Sequence, residues 1–259
     1  MEILELCERI GMPREVTEQV LSHTAFDRQL LVGITHRETA ADTYRALKAR
    51  CQNRMELLAC SLQAARLAYE AYRALGIDER VFIDTMKCFS RFIGETYTNC
   101  GVYDFDRGWW TYRQLSLSLF RLGELEYEYL DSEHKVSIHI PSDADISLDL
   151  CRESYARYLE FTERFFPDKA GYTPVCESWL LSPTLNELLP PSSRIRAFAS
   201  CFCVTAWNRE ASDYLTWIYG KSTTDYSSLP ENTSLQKSVK QVLLNGGAIG
   251  SAYGELTGF

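Results

Sequence analysis

Leu117-Ser118-Leu119-Phe120-Arg121-Leu122-Gly123-Glu124-Leu125-Glu126-Tyr127-Glu128-Tyr129-Leu130, followed after a polar break by Lys135-Val136-Ser137-Ile138-His139-Ile140, decides the fold. Gly123-Glu124 separates two apolar runs of strand length, and a glycine at the first central position suits a type II′ hairpin turn. Asp131-Ser132-Glu133-His134 makes a four-residue polar turn before a strictly alternating third run. Pairing the runs through these turns puts Phe120, Tyr127 and Ile138 in one row and Leu122, Leu125 and Ile140 in the next, an apolar face. The other face then carries Arg121, Glu126 and His139, with Leu119, Glu128 and Ser137 beside them. A one-residue slip would mix the two sets, so the register is itself an expectation.

Guanidinium, carboxylate and imidazole in one row make a proton-handling site: Glu126 fixes the tautomer of His139, and Arg121 keeps Glu126 ionised. The same row also reads as a cross-strand ion-pair ladder contributing roughly 0.2–1 kcal/mol per pair.

Outward from this core, Pro141 cannot donate to a ladder and ends the third strand. The acidic stretch Ser142-Asp143-Ala144-Asp145-Ile146-Ser147 leads into a helix over 148–166, capped by Ser147 or Asp145 with Asp149 in its first turn. Leu148, Cys151, Tyr155, Tyr158, Leu159, Thr162 and Phe165 fall on one side of that helix and are expected to face the sheet. A buried strand is expected over 173–181 and a short helix ending at Leu189. A strand over 195–204 is expected to alternate around Ala197, Ala199, Cys201 and Cys203. Helices around 209–219 and 234–245 follow, then a final strand within 248–256.

Three antiparallel strands, helix, strand, helix, strand is the element order of the GCN5-related N-acetyltransferase (GNAT) fold. Phe120 to Tyr127, His139-Ile140-Pro141, Ser178-Trp179-Leu180-Leu181-Ser182-Pro183 and Leu229-Pro230-Glu231-Asn232-Thr233-Ser234-Leu235-Gln236 resemble acyltransferases that carry a helical N-terminal domain and a GNAT-like C-terminal domain. The resemblance implies an α+β chain: residues 1–100 helical, residues 101–259 a mixed, mostly antiparallel sheet flanked by helices. It also implies direct transfer of an acyl group from acyl-CoA or acetyl-CoA to a small-molecule or peptide amine. The strand Val136 to Ile140, notably Val136, Ile138 and Ile140, then pairs with the pantetheine arm, and a backbone amide there holds the oxyanion. Ser142, Ala144, Ser147 and Arg152 surround the pyrophosphate, and Glu126, His139 or Glu177 takes the proton of the incoming ammonium.

Two departures from better-known acetyltransferases support an alternative, a GNAT-shaped module that binds a ligand or a protein without catalysis. The loop at 141–147 lacks the glycines that cradle a pyrophosphate, and its two aspartates, with Asp149, repel one by about 1 kcal/mol each in water. Arg152 is the one cation near it in sequence. No tyrosine lies between Ser182 and Ser193 to protonate the departing thiolate.

Residues 1–100 differ in composition. Leu58, Leu62, Ala65, Tyr69 and Tyr72 form a helical apolar stripe, Gly76 sits at a C-cap position, and Asn99-Cys100-Gly101 is the expected boundary. A formal charge of −8 argues against nucleic acid or an anionic membrane as partner and does not repel an amine. No apolar run reaches spanning length and the N-terminus lacks signal-peptide character. Nine cysteines without secretory features point to a reducing cytoplasm, and four scattered histidines without C-x-x-C argue for no metal. Cys176 is the one candidate thiol nucleophile, set against an inert buried role.

Overall fold

In the computed structural model, which describes residues 1–220 and 222–259, the chain divides into two compact units, Met1–Leu122 and Gly123–Phe259. The first is helical because its caps and apolar stripes agree. Helices α1 (Ile3–Arg9), α2 (Arg14–Ser22), α3 (Arg28–Gly33), α4 (Ala40–Arg50), α5 (Arg54–Leu75), α6 (Glu79–Cys100) and α7 (Tyr112–Leu115) precede a terminal strand β1 (Leu119–Leu122). In α5 the Asn53 side chain accepts from the Glu56 N–H at 2.9 Å, and Gly76 closes the helix at φ +73°. Leu58, Leu62, Ala65 and Tyr72 are buried as the stripe requires. Tyr69 sits at the rim instead, its hydroxyl 2.5 Å from Glu79.

The second unit holds β2 (Leu125–Leu130), β3 (Lys135–His139), α8 (Leu148–Phe165), β4 (Thr173–Ser178), α9 (Pro183–Leu188), α10 (Arg194–Ala199), β5 (Phe202–Asn208), α11 (Asp213–Tyr219), α12 (Ser234–Leu244) and β6 (Ser251–Leu256). Its strands lie in the order β2-β3-β4-β6-β5 in a mixed sheet. All neighbours within the unit are antiparallel except β3 and β4, which are parallel. The register of β2 on β3 is the expected one, Glu126 opposite His139 and Tyr127 opposite Ile138.

One face of this sheet is sealed by α8. The Tyr127 and Tyr158 rings stack at 4.6 Å, the Tyr127 hydroxyl meets Ser154 Oγ at 3.1 Å, and the Tyr129 hydroxyl meets Thr162 Oγ1 at 2.6 Å. Gly123 takes φ +82°, and a Cβ there would come within 3.2 Å of the Ser154 backbone, so the turn requires glycine for conformation and for clearance. The sheet-facing set of α8 is Cys151, Ser154, Tyr158, Phe161 and Thr162. Leu159, expected to face the sheet, is 40% exposed. It lies one residue past Tyr158, which already fills the stacking position.

Two strand expectations are corrected. The strand over 173–181 stops at Ser178, where Trp179–Leu181 turns into a 3-10 helix. The segment over 195–204 is mostly the helix α10: Ser193 caps it through the Arg196 N–H, alanines favour it, and only Phe198 is buried. The small residues at alternate positions mimicked a strand period without forming one. Cys201 therefore lies buried in the turn before β5 and Cys203 is exposed on the strand, rather than both lining one face.

Candidate functional site: the opening between strands β3 and β4

Strand β3 pairs with β4 at Lys135 and Thr173, Val136 and Pro174, and Ser137 and Val175. There the pairing stops, although β3 runs on to His139 and β4 to Ser178. Each strand keeps its other neighbour over those residues: His139 stays opposite Glu126, while Cys176, Glu177 and Ser178 stay opposite Gly254, Tyr253 and Ala252. The two strands thus part from one another alone, leaving a wedge edged by backbone. It begins at Ile138, ahead of the chain break that Pro141 predicts. Buried backbone N–H and C=O groups require partners, so a wedge of this kind suits an extended polar chain such as an amide-rich arm.

The side chains of Val136 and Ile138 are fully buried beneath α8, so of these residues only the backbone can face the wedge. Ile140 is half-buried just beyond it. The chain then turns, with the Ala144 N–H on the Pro141 carbonyl at 3.0 Å. The Asp145 N–H donates to Glu124 Oε2 at 2.9 Å and the Ser147 N–H to Asp145 Oδ1 at 2.8 Å. Ser142 is exposed; Ala144 and Ser147 are half-buried. Ser147 is the N-cap of α8, and its side chain makes no capping hydrogen bond. The first-turn amides of an 18-residue helix consequently carry no side-chain cap, at the end of the helix dipole that favours an anion.

The acidity of this loop is locally balanced. Arg194, at the start of α10, reaches Asp145 Oδ1 at 3.0 Å, and Arg152 holds Asp149 Oδ1 at 2.9 Å. The Ser147 backbone N–H and the Arg194 guanidinium keep the Asp145 carboxyl below its ordinary range. Arg152 is therefore not the only cation here: Arg194 comes from 49 residues along the chain, which no local reading of the loop reveals.

The sheet face away from α8 carries the polar candidates. Glu126 is 2% exposed, opposite His139. The carboxylate on His139 Nε2 is Glu128, at 2.9 Å. Glu128 lies diagonal to His139 across the ladder, on the face where the register puts it, and its role as the imidazole's partner is not visible in the sequence. Continuing the β3/β4 register past its last pair sets Glu177 level with His139 on the far side of the wedge, and Glu177 is exposed. Arg121 belongs to the first unit, where its backbone N–H donates to Thr85 Oγ1 at 3.0 Å. Cys176 points into the α8 side of the sheet, where burial pushes its thiol up, the setting of an inert thiol rather than a nucleophile.

Residues 119–256 match the family described as a GNAT-like C-terminal domain, and residues 1–117 match the N-acyltransferase N-terminal domain. The chain belongs to this GNAT-like family. Solved structures with the same fold include an acyltransferase in complex with decanoyl-CoA and teicoplanin, at 20% identity and a TM-score of 0.78 over 97% of this chain and 86% of that one. An acyltransferase in complex with CoA and 10C-teicoplanin has 20% identity and a TM-score of 0.77 over the same shares. A mutant acyltransferase with octanoyl-CoA, again 20% identical over those shares, has a TM-score of 0.75. At this identity the likeness establishes the fold. No curated protein matches the chain.

Proposed function

We propose that this GNAT-like protein transfers an acyl group from an acyl-CoA thioester to an amine. The observation that carries the reading is the parting of β3 from β4 after Ser137 and Val175, directly ahead of a helix whose N-terminus has no side-chain cap. In the proposal the pantetheine arm lies in the wedge against the backbone of Ile138 and Ile140, as a surrogate strand; Val136, still paired with Pro174, lies before the opening and not in it. Its pyrophosphate meets the loop through Ser142, Ala144 and Ser147, with Arg152 and Arg194 supplying positive charge. Arg194 already pairs with Asp145 and Arg152 with Asp149, which removes part of the repulsion that favoured a non-catalytic module.

The donor is a medium-chain acyl-CoA rather than acetyl-CoA, a reading supported by structural neighbours solved with decanoyl-CoA and octanoyl-CoA. The acceptor is a small-molecule amine, supported by the neighbour solved with teicoplanin. The amine approaches on the polar face of the sheet. The imidazole of His139, oriented by Glu128, takes the ammonium proton, with Glu126 and Glu177 holding positive charge beside it. The amine attacks the thioester carbonyl while a β3 amide at the wedge stabilises the oxyanion. The nine cysteines, none of them in a disulfide, support a reducing cytoplasm as the place of action.

Thermal denaturation with CoA, acetyl-CoA and decanoyl-CoA tests this first. A thioester at 100 times its Kd stabilises by about 2.7 kcal/mol, a visible rise in Tm. The proposal expects decanoyl-CoA to give the larger rise and the protein to acylate an amine in its presence. No shift with any thioester at millimolar concentration contradicts it.

A further inference from the structure

Two cysteines of the first unit stand against one another. Cys51 is the C-cap of α4, its N–H on the Leu47 carbonyl at 3.1 Å, and the chain then reverses through Gln52 and Asn53 into α5. Cys60 lies in the second turn of α5 and is 4% exposed. The packing of α4 beside α5 brings the two sulfurs together, and the Cys60 S–H donates to the Cys51 sulfur. Burial raises both thiols, Cys60 to about 12. The shared hydrogen bond acts on them in opposite senses: it offsets part of the rise at Cys51, the acceptor, and adds to it at Cys60, the donor. Solvent also reaches them unequally, since Cys51 is half-buried and Cys60 buried. The accessible sulfur is thus the one whose thiolate its neighbour stabilises, the setting of an attacking thiol backed by a resolving one. Cys151 and Cys201 of the second unit also sense each other, but both are buried, so neither is open to a reagent.

We propose that Cys51 and Cys60 form a thiol–disulfide exchange site, in which Cys51 attacks a low-molecular-weight disulfide and Cys60 then closes an internal bond that staples the end of α4 to α5. Each step balances. The Cys51 thiol loses its proton to solvent, its sulfur bonds one sulfur of the small disulfide, and that S–S bond breaks to release the first small thiol. Cys60 loses its proton and bonds the Cys51 sulfur, and the mixed disulfide breaks to release the second. The small disulfide is reduced to two thiols as the protein pair is oxidised, and excess small thiol reverses both steps. In a reducing compartment the pair rests as two thiols, and it closes when small disulfides accumulate. Closing the loop 51–60 constrains the unfolded chain and so stabilises the fold. The site lies wholly in the first unit and stands or falls independently of acyl transfer.

The test incubates the folded, full-length protein with excess oxidised glutathione at pH 8, alkylates the remaining thiols and maps the tryptic peptides by mass. Cleavage after Arg50, Arg54 and Arg66 puts Cys51 and Cys60 in separate peptides, 51–54 and 55–66, so the bond is read directly as a linked pair. The wild type is expected to give that pair, to lose it on treatment with dithiothreitol, and to melt at a higher Tm oxidised than reduced. Cys60→Ser should stop at the mixed disulfide, with glutathione held on Cys51, whereas Cys51→Ser should leave Cys60 free in the native protein. Recovery of both wild-type peptides alkylated after prolonged incubation overturns the proposal. So does glutathione persisting on Cys51 of the wild type with Cys60 still free. The wild-type map needs no substitution, so it decides even where a serine variant fails to fold.

Discussion

The two faces of the second unit's sheet are built from alternate residues of the same strands, and they do opposite things. Under α8 the face is closed: Tyr127, Tyr129, Val136, Ile138 and Cys176 are buried, and their few polar atoms find partners on the helix. On the other face Glu126, Glu128, His139, Glu177 and Tyr253 bring carboxylates, an imidazole and a phenol, with His139 and Glu177 on the two strands that edge the wedge. Packing is concentrated on the first face, and the proposed chemistry falls on the second. Period-2 alternation lets one strand serve both without compromise.

The largest expected break in this comparison is Tyr127→Ala. It removes a stacked, hydrogen-bonded ring from the closed face and should cost about 3–5 kcal/mol in chemical denaturation. On the open face, His139→Ala and Glu128→Gln should change stability by no more than about 1 kcal/mol, because the pair is part-exposed. The same changes should lower amine acylation by about 10² or more in kcat for His139→Ala. A smaller stability loss belongs to the turn: Gly123→Ala puts a Cβ at positive φ against Ser154 and should cost about 1–2 kcal/mol. The gentlest probe is thiol labelling at pH 8. Cys203, exposed on β5, should react with a disulfide reagent within minutes. Cys151, pushed up to about 12 by burial, and Cys176, also raised by burial, should stay unlabelled until the protein unfolds. Labelling of Cys176 in the native protein would show that the closed face opens.

Much of this was legible in the sequence because it is local. The β2/β3 register followed from a four-residue turn and strict alternation, and α8 followed from its apolar spacing, with Pro167 just past its end. α10 was misread because Ala197 and Ala199 carry no strong period, so Phe198 and the Ser193 cap, rather than alternation, decided the outcome. The site was legible only where it lies on one hairpin. Glu126 and His139 fell opposite each other as read, whereas Arg194 reaches Asp145 across 49 residues and Tyr253 meets Glu177 from the last strand. Contacts of that range depend on the crossover from β3 through α8 to β4 and on the β6 pairing, which local patterns do not encode.

The central claim is that the wedge between β3 and β4 receives a thioester arm, and a crystal structure of the protein grown with decanoyl-CoA tests it most directly. The account predicts the pantetheine running between the backbones of 138–140 and 176–178, with its sulfur near the wedge root. Decanoyl-CoA bound elsewhere, or a wedge filled by the protein's own side chains in the presence of saturating ligand, contradicts it.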